Sequence, residues 1–215
     1  MKTKITTFII IILSYTITNA QNYETDVREK FMVGLKMGVN FSNVYDSRGE
    51  DFRADSRVGF VTGAFMAIPI GKYMGIQPEV LFSQKGFQGK GTILGQPYRF
   101  SRTTNFLDVP IFFAFKPSEF LTLLVGPQYS YVLKQTDVFE NAFTTIEQEK
   151  LFVNENIRKN ILCFVTGLDL TLKHFLFSAR VGWDVQSNSG DGVASTPRYK
   201  NMWYQTTVGY RFYTR

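Results

Sequence analysis

From Phe31 onward the chain alternates, residue by residue, between bulky apolar side chains and small or polar ones. Phe31, Val33, Leu35, Met37, Val39 and Phe41 share one lane, and Gly34, Lys36, Gly38, Asn40 and Ser42 share the other. Near the C-terminus Tyr204, Thr206, Val208, Tyr210 and Phe212 oppose Gln205, Thr207, Gly209 and Arg211. A period of two is the mark of β-strands, whose side chains alternate across the sheet. Eight such strands are predicted, over 31–43, 57–70, 73–86, 100–116, 119–135, 159–172, 175–187 and 200–213. Long polar connections, 44–56, 87–99, 136–158 and 188–199, follow every odd strand. Tight turns at Gly71-Lys72, Pro117-Ser118 and Lys173-His174 follow the second, fourth and sixth. Long connections at one end and short turns at the other suit an antiparallel up-and-down barrel that spans a membrane.

Lane volumes give the pattern a direction. The interior of an eight-stranded barrel holds only its own side chains. The bulky lane, with Val58, Phe60, Met66, Phe82, Leu107, Phe113, Leu123, Phe164 and Phe177, is too large for it and is expected to face lipid. The opposite lane, of Gly, Ser and charge, then fills the lumen. It carries Lys36, Glu79, Lys85, Asp108, Asp169, Arg180, Asp184 and Arg211, with Lys36 and Arg211 expected nearer the rims. Charges taken from water need partners, so a structural ion-pair network is expected, with a proton or ion path as its rival. Asp169 and Arg180 flank the Lys173-His174 turn on one face and are expected to lie close. Tyr73, Tyr129, Tyr131, Tyr199, Trp203, Tyr204 and Tyr210 fall toward strand ends, as interfacial girdles would. Pro78, Pro110 and Pro127 fall inside strands, where each removes a ladder donor, so bulges or strand ends are expected there. A soluble sandwich, or a lipocalin-like ligand-binding barrel with the bulky lane turned inward, is the alternative at the level of fold.

The N-terminus supplies a compartment. Lys2 and Lys4 precede a short apolar stretch, Ile5 to Ile17, and Thr18-Asn19-Ala20 offers the small residues of a cleavage site. Residues 1–20 are therefore expected to be a cleaved signal, cut between Ala20 and Gln21, followed by a polar periplasmic leader over 21–30 and the barrel over 31–213. Losing Lys2 and Lys4 takes the 24 Lys+Arg to 22 against 18 Asp+Glu, a formal charge of +4. The basic residues are scattered, which argues against nucleic acid as a partner. The one Cys, Cys163, permits no intrachain disulfide and is expected to be a small buried filler.

Little in the chain suggests catalysis. His174 is the single histidine, lies in a predicted turn without a serine partner, and is expected to be solvated. One His and one Cys make no His/Cys zinc site. In Gly86-Phe87-Gln88-Gly89-Lys90-Gly91-Thr92 the lysine is followed by glycine and by no helical pattern, so it departs from a phosphate-binding loop and is expected to be a flexible external loop. The 136–158 connection places Phe139, Phe143, Ile146, Leu151 and Phe152 among acidic residues, as a partner surface or as a hairpin prolonged beyond the membrane.

Several segments together resemble the PorT-like outer-membrane β-barrel family of Bacteroidetes. They are Gly34-Leu35-Lys36-Met37-Gly38-Val39-Asn40-Phe41-Ser42, the Gly75–Gly86 stretch with Gln77-Pro78-Glu79, Leu107-Asp108-Val109-Pro110, Gly126-Pro127-Gln128-Tyr129-Ser130-Tyr131, and Val208-Gly209-Tyr210-Arg211-Phe212. The resemblance implies an OmpA/OmpX-like outer-membrane barrel that tolerates proline at those positions, and it carries no catalytic residues. Thr214 and Arg215 depart from the terminal aromatic such proteins commonly end on. The expectation is a non-enzymatic outer-membrane protein without cofactor, metal or identified small-molecule substrate. Its partners would be outer-membrane lipid and, through the external connections, a protein. A transport or type IX-like secretion component is the alternative.

Overall fold

The computed structural model describes residues 27–48, 54–93, 96–141, 145–150, 158–188 and 198–212. Ala20, Gln21 and the leader up to residue 26 lie outside the described residues, as do the centres of the 44–56, 136–158 and 188–199 connections.

The strands are β1 (Met32–Arg48), β2 (Ala54–Pro69), β3 (Met74–Ile93), β4 (Gln96–Phe115), β5 (Leu121–Asn141), β6 (Thr145–Lys150), β7 (Asn160–Leu172), β8 (Phe175–Asp184) and β9 (Arg198–Phe212). All pairings are antiparallel between neighbours. Eight strands form a closed ring, and β6 is added outside it on the upper part of β5. The first and last strands close the ring, with Val33 opposite Phe212 and Ser42 opposite Trp203. The start of β1, the end of β9 and the three tight turns thus share one end, and the strand ends that lead into the long connections share the other. Closure pairs the backbone polar groups laterally and leaves no sheet edge, as hydrocarbon requires. In the two-residue turn joining Leu172 to Phe175, Lys173 takes a left-handed φ of 54°, which such hairpins demand.

Exposure settles which lane faces out. Leu35 and Met37 are 57% and 67% exposed, whereas Lys36 between them is 3% exposed. The same alternation runs round the ring, through Phe60, Ile76, Ile111, Leu123, Leu168, Phe177 and Val208, all exposed. A lipocalin-like reading needs the opposite direction. From Phe31 to Phe41, about 3.3 Å per residue at a tilt near 40° gives an apolar band roughly 25 Å tall, matching a bilayer core.

The structure corrects several expectations. The predicted 87–99 connection is a hairpin: β3 runs to Ile93 and β4 begins at Gln96, so the 86–92 glycine-rich segment is strand. The 136–158 connection likewise begins as strand, through Asn141, and returns as β6. Beyond the apolar band both faces of a strand tolerate polar residues, so a polar composition there does not signal a loop. Tyr199 and Trp203 belong to no girdle; they are buried, on the inward lane of β9 with Gln205, Thr207 and Arg211. The lumen is also bulkier than Gly, Ser and charge: Phe65, Leu81, Phe106, Phe112 and Leu124 lie inside. Space comes from glycines, since a Cβ at Gly182 would fall within the Trp203 ring.

The prolines sit in mid-strand without a register shift. Pro78 pairs with Ile111, Pro110 with Gln128 and Pro127 with Phe164; on the other side of each, toward β2, β3 and β4 respectively, the ladder lapses for two residues before resuming in the same register. One missing N–H interrupts one side of one strand, and the other pairings hold it. The shifts fall elsewhere, at Tyr45/Arg48, Ser56/Val61 and Asn105/Phe106, toward the end with the long connections. At Ser56/Val61, β2 lets go of β3, and β1 repairs the gap from inside. Asn40 Nδ2 donates to the Gln84 carbonyl at 3.1 Å; the Ser42 hydroxyl donates to Gly86 O and accepts from Gly86 N, each at 2.8 Å. Gly59 leaves the path open, because a Cβ there would collide with the Gln84 carbonyl.

Ser42→Ala leaves the Gly86 N–H and C=O without this partner. It is expected to cost about 1–3 kcal/mol in urea unfolding from lipid vesicles; an unchanged midpoint would show that the repair carries no stability.

Candidate functional site

Each wall strand sends its inward lane into one lumen, so residues far apart in sequence meet there. Lys36 on β1, Glu79 on β3, Lys85 on β3, Asp108 on β4, Asp169 on β7, Arg180 and Asp184 on β8 and Arg211 on β9 are all buried. They form two separate clusters and one outlier.

The first cluster is charge-balanced. Lys36 Nζ lies 2.6 Å from Glu79 Oε2, and Arg180 bridges the other Glu79 oxygen at 3.4 Å and Asp169 at 2.6 Å. Gln77 Nε2 donates to both carboxylates, at 2.9 Å to Glu79 and 3.0 Å to Asp169. Arg180 also donates to the Leu168 carbonyl at 2.9 Å, and its guanidinium lies over the Phe112 ring at 5.2 Å. Two cations and two anions hold one another, with hydrogen bonds taking up the remaining carboxylate lone pairs. Asp169 and Arg180 are diagonal in register, since Gly167 pairs with Arg180 and Asp169 with Ser178. Lys36 is no rim residue, because a side chain that reaches Glu79 belongs to the interior of the lumen.

The second cluster is built on Lys85. Its ammonium lies 2.8 Å from Asp108 Oδ2 and sits over the Trp203 ring at 3.7 Å. Ser130 donates to the other Asp108 oxygen at 2.6 Å, and Gln128 donates to Ser130 at 2.9 Å. Cys163 lies between Ser130, at 3.3 Å, and Asp184, at 3.2 Å, so the buried filler also links two polar groups. Asp184 Oδ2 accepts from the Asn201 backbone N–H and side-chain amide at 2.8 and 2.6 Å.

Sequence reading missed a third group nearer the end with the long connections. Arg102 makes a two-pronged pair with Asp137 at 2.7 and 2.8 Å and donates to the Tyr199 hydroxyl at 3.2 Å. The rings of Phe87, Phe100 and Tyr199 surround its guanidinium. The signal was present: Arg102 lies in the predicted 100–116 strand directly opposite Asp137 in the β4–β5 register, hidden because Asp137 falls in the predicted 136–158 connection.

Arg211 is the outlier, at the mouth where β1 begins and β9 ends, with Nη2 donating to the Lys173 carbonyl at 2.8 Å. His174 is not merely solvated there: it is half-buried, its Nδ1 lies 3.0 Å from the Arg211 carbonyl, and its ring stacks on Tyr210. A turn of 3₁₀ helix, Val27–Glu29, precedes β1 at the same mouth. Arg28 reaches the β4–β5 turn, where Lys116 Nζ donates to the Arg28 carbonyl at 2.8 Å, and its guanidinium lies over Tyr73 in the β2–β3 turn. In the ring β4 and β5 stand opposite β1, so this segment crosses beneath the lumen. A cavity of only about 20 Å³ remains there, lined by residues including Val27, Arg28, Gln77, Lys116, Asp169 and Arg211. That is room for water.

Glu79→Gln removes one of two anions facing Lys36 and Arg180 and is expected to destabilise the barrel by about 3–5 kcal/mol in urea unfolding. Lys36→Met combined with Glu79→Gln restores charge balance and is expected to recover part of that loss. A double variant no more stable than the single one would contradict the pairing.

Residues 19–186 match the family model described as outer membrane protein beta-barrel domain. No curated protein matches the chain in sequence. Among solved structures it is similar to Ail, the attachment invasion locus protein of Yersinia pestis, at 15% identity, with 85% of this chain and 99% of that chain covered and a TM-score of 0.51. Ail in complex with the heparin analogue sucrose octasulfate matches at 16% identity, over 85% of this chain and 99% of that one, with a TM-score of 0.50. At these identities the likeness is one of fold.

Proposed function

The chain belongs to the outer membrane protein beta-barrel domain family, and from that premise we propose a non-enzymatic outer-membrane protein with a plugged lumen, acting through its external surface. The outward apolar band over an inward, paired set of charges carries this reading. In this orientation the short turns and the Val27–Glu29 segment are periplasmic and the long connections external. The Lys36–Glu79–Arg180–Asp169 and Lys85–Asp108 clusters block the lumen as structural fillers. The segment before β1, latched by Lys116 and Pro117 on the far side, narrows the periplasmic mouth further.

With the lumen filled, recognition falls to the outer end. There β3, β4, β5 and β6 prolong the wall beyond the apolar band, a rigid support for structural, adhesive or accessory contacts with an outer-membrane complex. Ail, named for attachment and invasion, has a barrel of the same kind. The Gly34–Ser42, Gly75–Gly86 and Gly126–Tyr131 segments further support a PorT-like barrel of Bacteroidetes, with residues 1–20 as its export signal. A transport component would conduct through the lumen, and the paired side chains there favour the plugged reading over it; a type IX-like secretion component is the second reading.

Refolded protein is expected to show heat-modifiable gel mobility, as closed membrane barrels do, and to give no steady conductance in planar bilayers. A stable open-channel current from correctly folded protein would overturn the plug. Protein that stays soluble without detergent and shows no mobility shift would overturn the membrane reading itself.

A further inference from the structure

We propose that the segment before β1 is a latch on the closed ring: it docks only after the first and last strands have met, and it sets how slowly the barrel reopens. Among the described residues of this mouth, the backbone hydrogen bonds between elements join ring neighbours. Lys116 N–H donates to the Tyr73 carbonyl, Thr171 N–H to that of Phe120 and Arg211 N–H to that of His174. The Val27–Glu29 turn makes a different kind of link. Lys116 Nζ donates to the Arg28 carbonyl at 2.8 Å, across 88 residues of chain, and Arg28 Nη1 donates to the Pro117 carbonyl at 3.4 Å. The Arg28 guanidinium lies over the Tyr73 ring at 5.1 Å. β1 and the β4–β5 turn stand on opposite sides of the ring, so these contacts span its diameter.

A contact across the diameter is conditional on closure. The seam of the ring is the β1–β9 ladder, which at this end begins with Val33 opposite Phe212. While that seam is open, β1 is held only by β2, and nothing fixes the distance from Arg28 to the turn it binds. The cavity of about 20 Å³ above the docked segment carries the same condition. Met32, Phe65, Gln77, Asp169, Leu176 and Arg211 line it from all round the ring, together with Val27 and Arg28. The segment therefore packs on walls that come together only in the closed barrel.

The two sides of the seam are anchored separately. Arg211 on β9 bonds the Lys173 and His174 carbonyls in the turn before β8, through its side chain and its N–H. On the other side, β1 is anchored through Arg28. Moving β1 outward to open the seam pulls Arg28 from Lys116, Pro117 and Tyr73 together, so reopening breaks all three contacts at once. An interaction absent from the folding transition state leaves the folding rate alone and slows unfolding. A segment that docks after closure belongs to that class.

The test follows the rates of urea unfolding and of refolding of the full chain in phosphatidylcholine vesicles. V27G/R28S/E29G keeps the length of the segment while loosening its turn and removing the Arg28 side chain. It is expected to unfold roughly five- to thirtyfold faster than the wild type, as the loss of one or two hydrogen bonds would give, and to refold at the wild-type rate. K116M is expected to speed unfolding as well, and to do so less in the V27G/R28S/E29G background than alone, because the Arg28 carbonyl is already undocked there. An unchanged unfolding rate in V27G/R28S/E29G would overturn the latch. Slower refolding would also overturn it, by placing the contact before closure, as would effects of the two changes that simply multiply. Should the triple variant fail to fold, R28A, which removes the contacts to Pro117 and Tyr73 alone, is read by the same criteria.

Discussion

A ring of only eight strands must fill its own interior, and the remaining features answer to that constraint. Closure satisfies the backbone laterally, which is what allows the outer face to be apolar throughout. It also leaves a lumen just wide enough for side chains to fill. The chain fills it with alternating large and small side chains: Trp203 against Gly182, Phe65 against Gly34, and charged groups wherever a partner is in reach. Buried charge is expensive, and the interior is arranged accordingly. Lys36, Glu79, Arg180 and Asp169 neutralise one another, Gln77 occupies lone pairs that salt bridges leave over, and rings cover the faces of the cations.

The same constraint explains where the wall departs from regularity. Prolines in three adjacent strands remove donors, but each affects one side of one strand and the register passes through. The departure at Ser56/Val61 is larger, and it is met by side chains of β1 that reach past a glycine to the backbone of β3. The lumen is therefore both filler and scaffold: Asn40 and Ser42 belong to its polar interior and to the hydrogen bonding of its wall.

Much of this was legible in the sequence because period-two alternation is forced on any strand with lipid on one side and a packed lumen on the other. Strand number, order and direction follow from it, as does the inward set Lys36, Glu79, Lys85, Asp108, Asp169, Arg180 and Asp184. Where lipid ends, that forcing ends too. Residues 87–93, 96–99 and 136–141 are strand, yet rich in polar residues, and they read as loops. Trp203 and Tyr199 misled for a different reason: aromatic residues near strand ends suggest a girdle, although the lane they occupy already pointed inward. Asp169 and Arg180 could be paired in advance, because the tight turn between them fixes their relative height; the other pairings were not legible, since lane membership fixes a face but not the height at which side chains from different strands meet. Arg102 and Asp137 needed the β4–β5 register before their pairing could be seen.

The direction of the two lanes is the central claim, and site-directed spin labelling along β9 tests it most directly. Labels at Tyr204, Thr206 and Val208 should collide freely with oxygen and little with a water-soluble nickel chelate. Labels at Gln205 and Thr207 should be shielded from both and show strongly restricted motion. Oxygen exposure on the Gln205 and Thr207 lane, or free access of the nickel chelate to it, would contradict a lipid-facing apolar wall around a filled lumen.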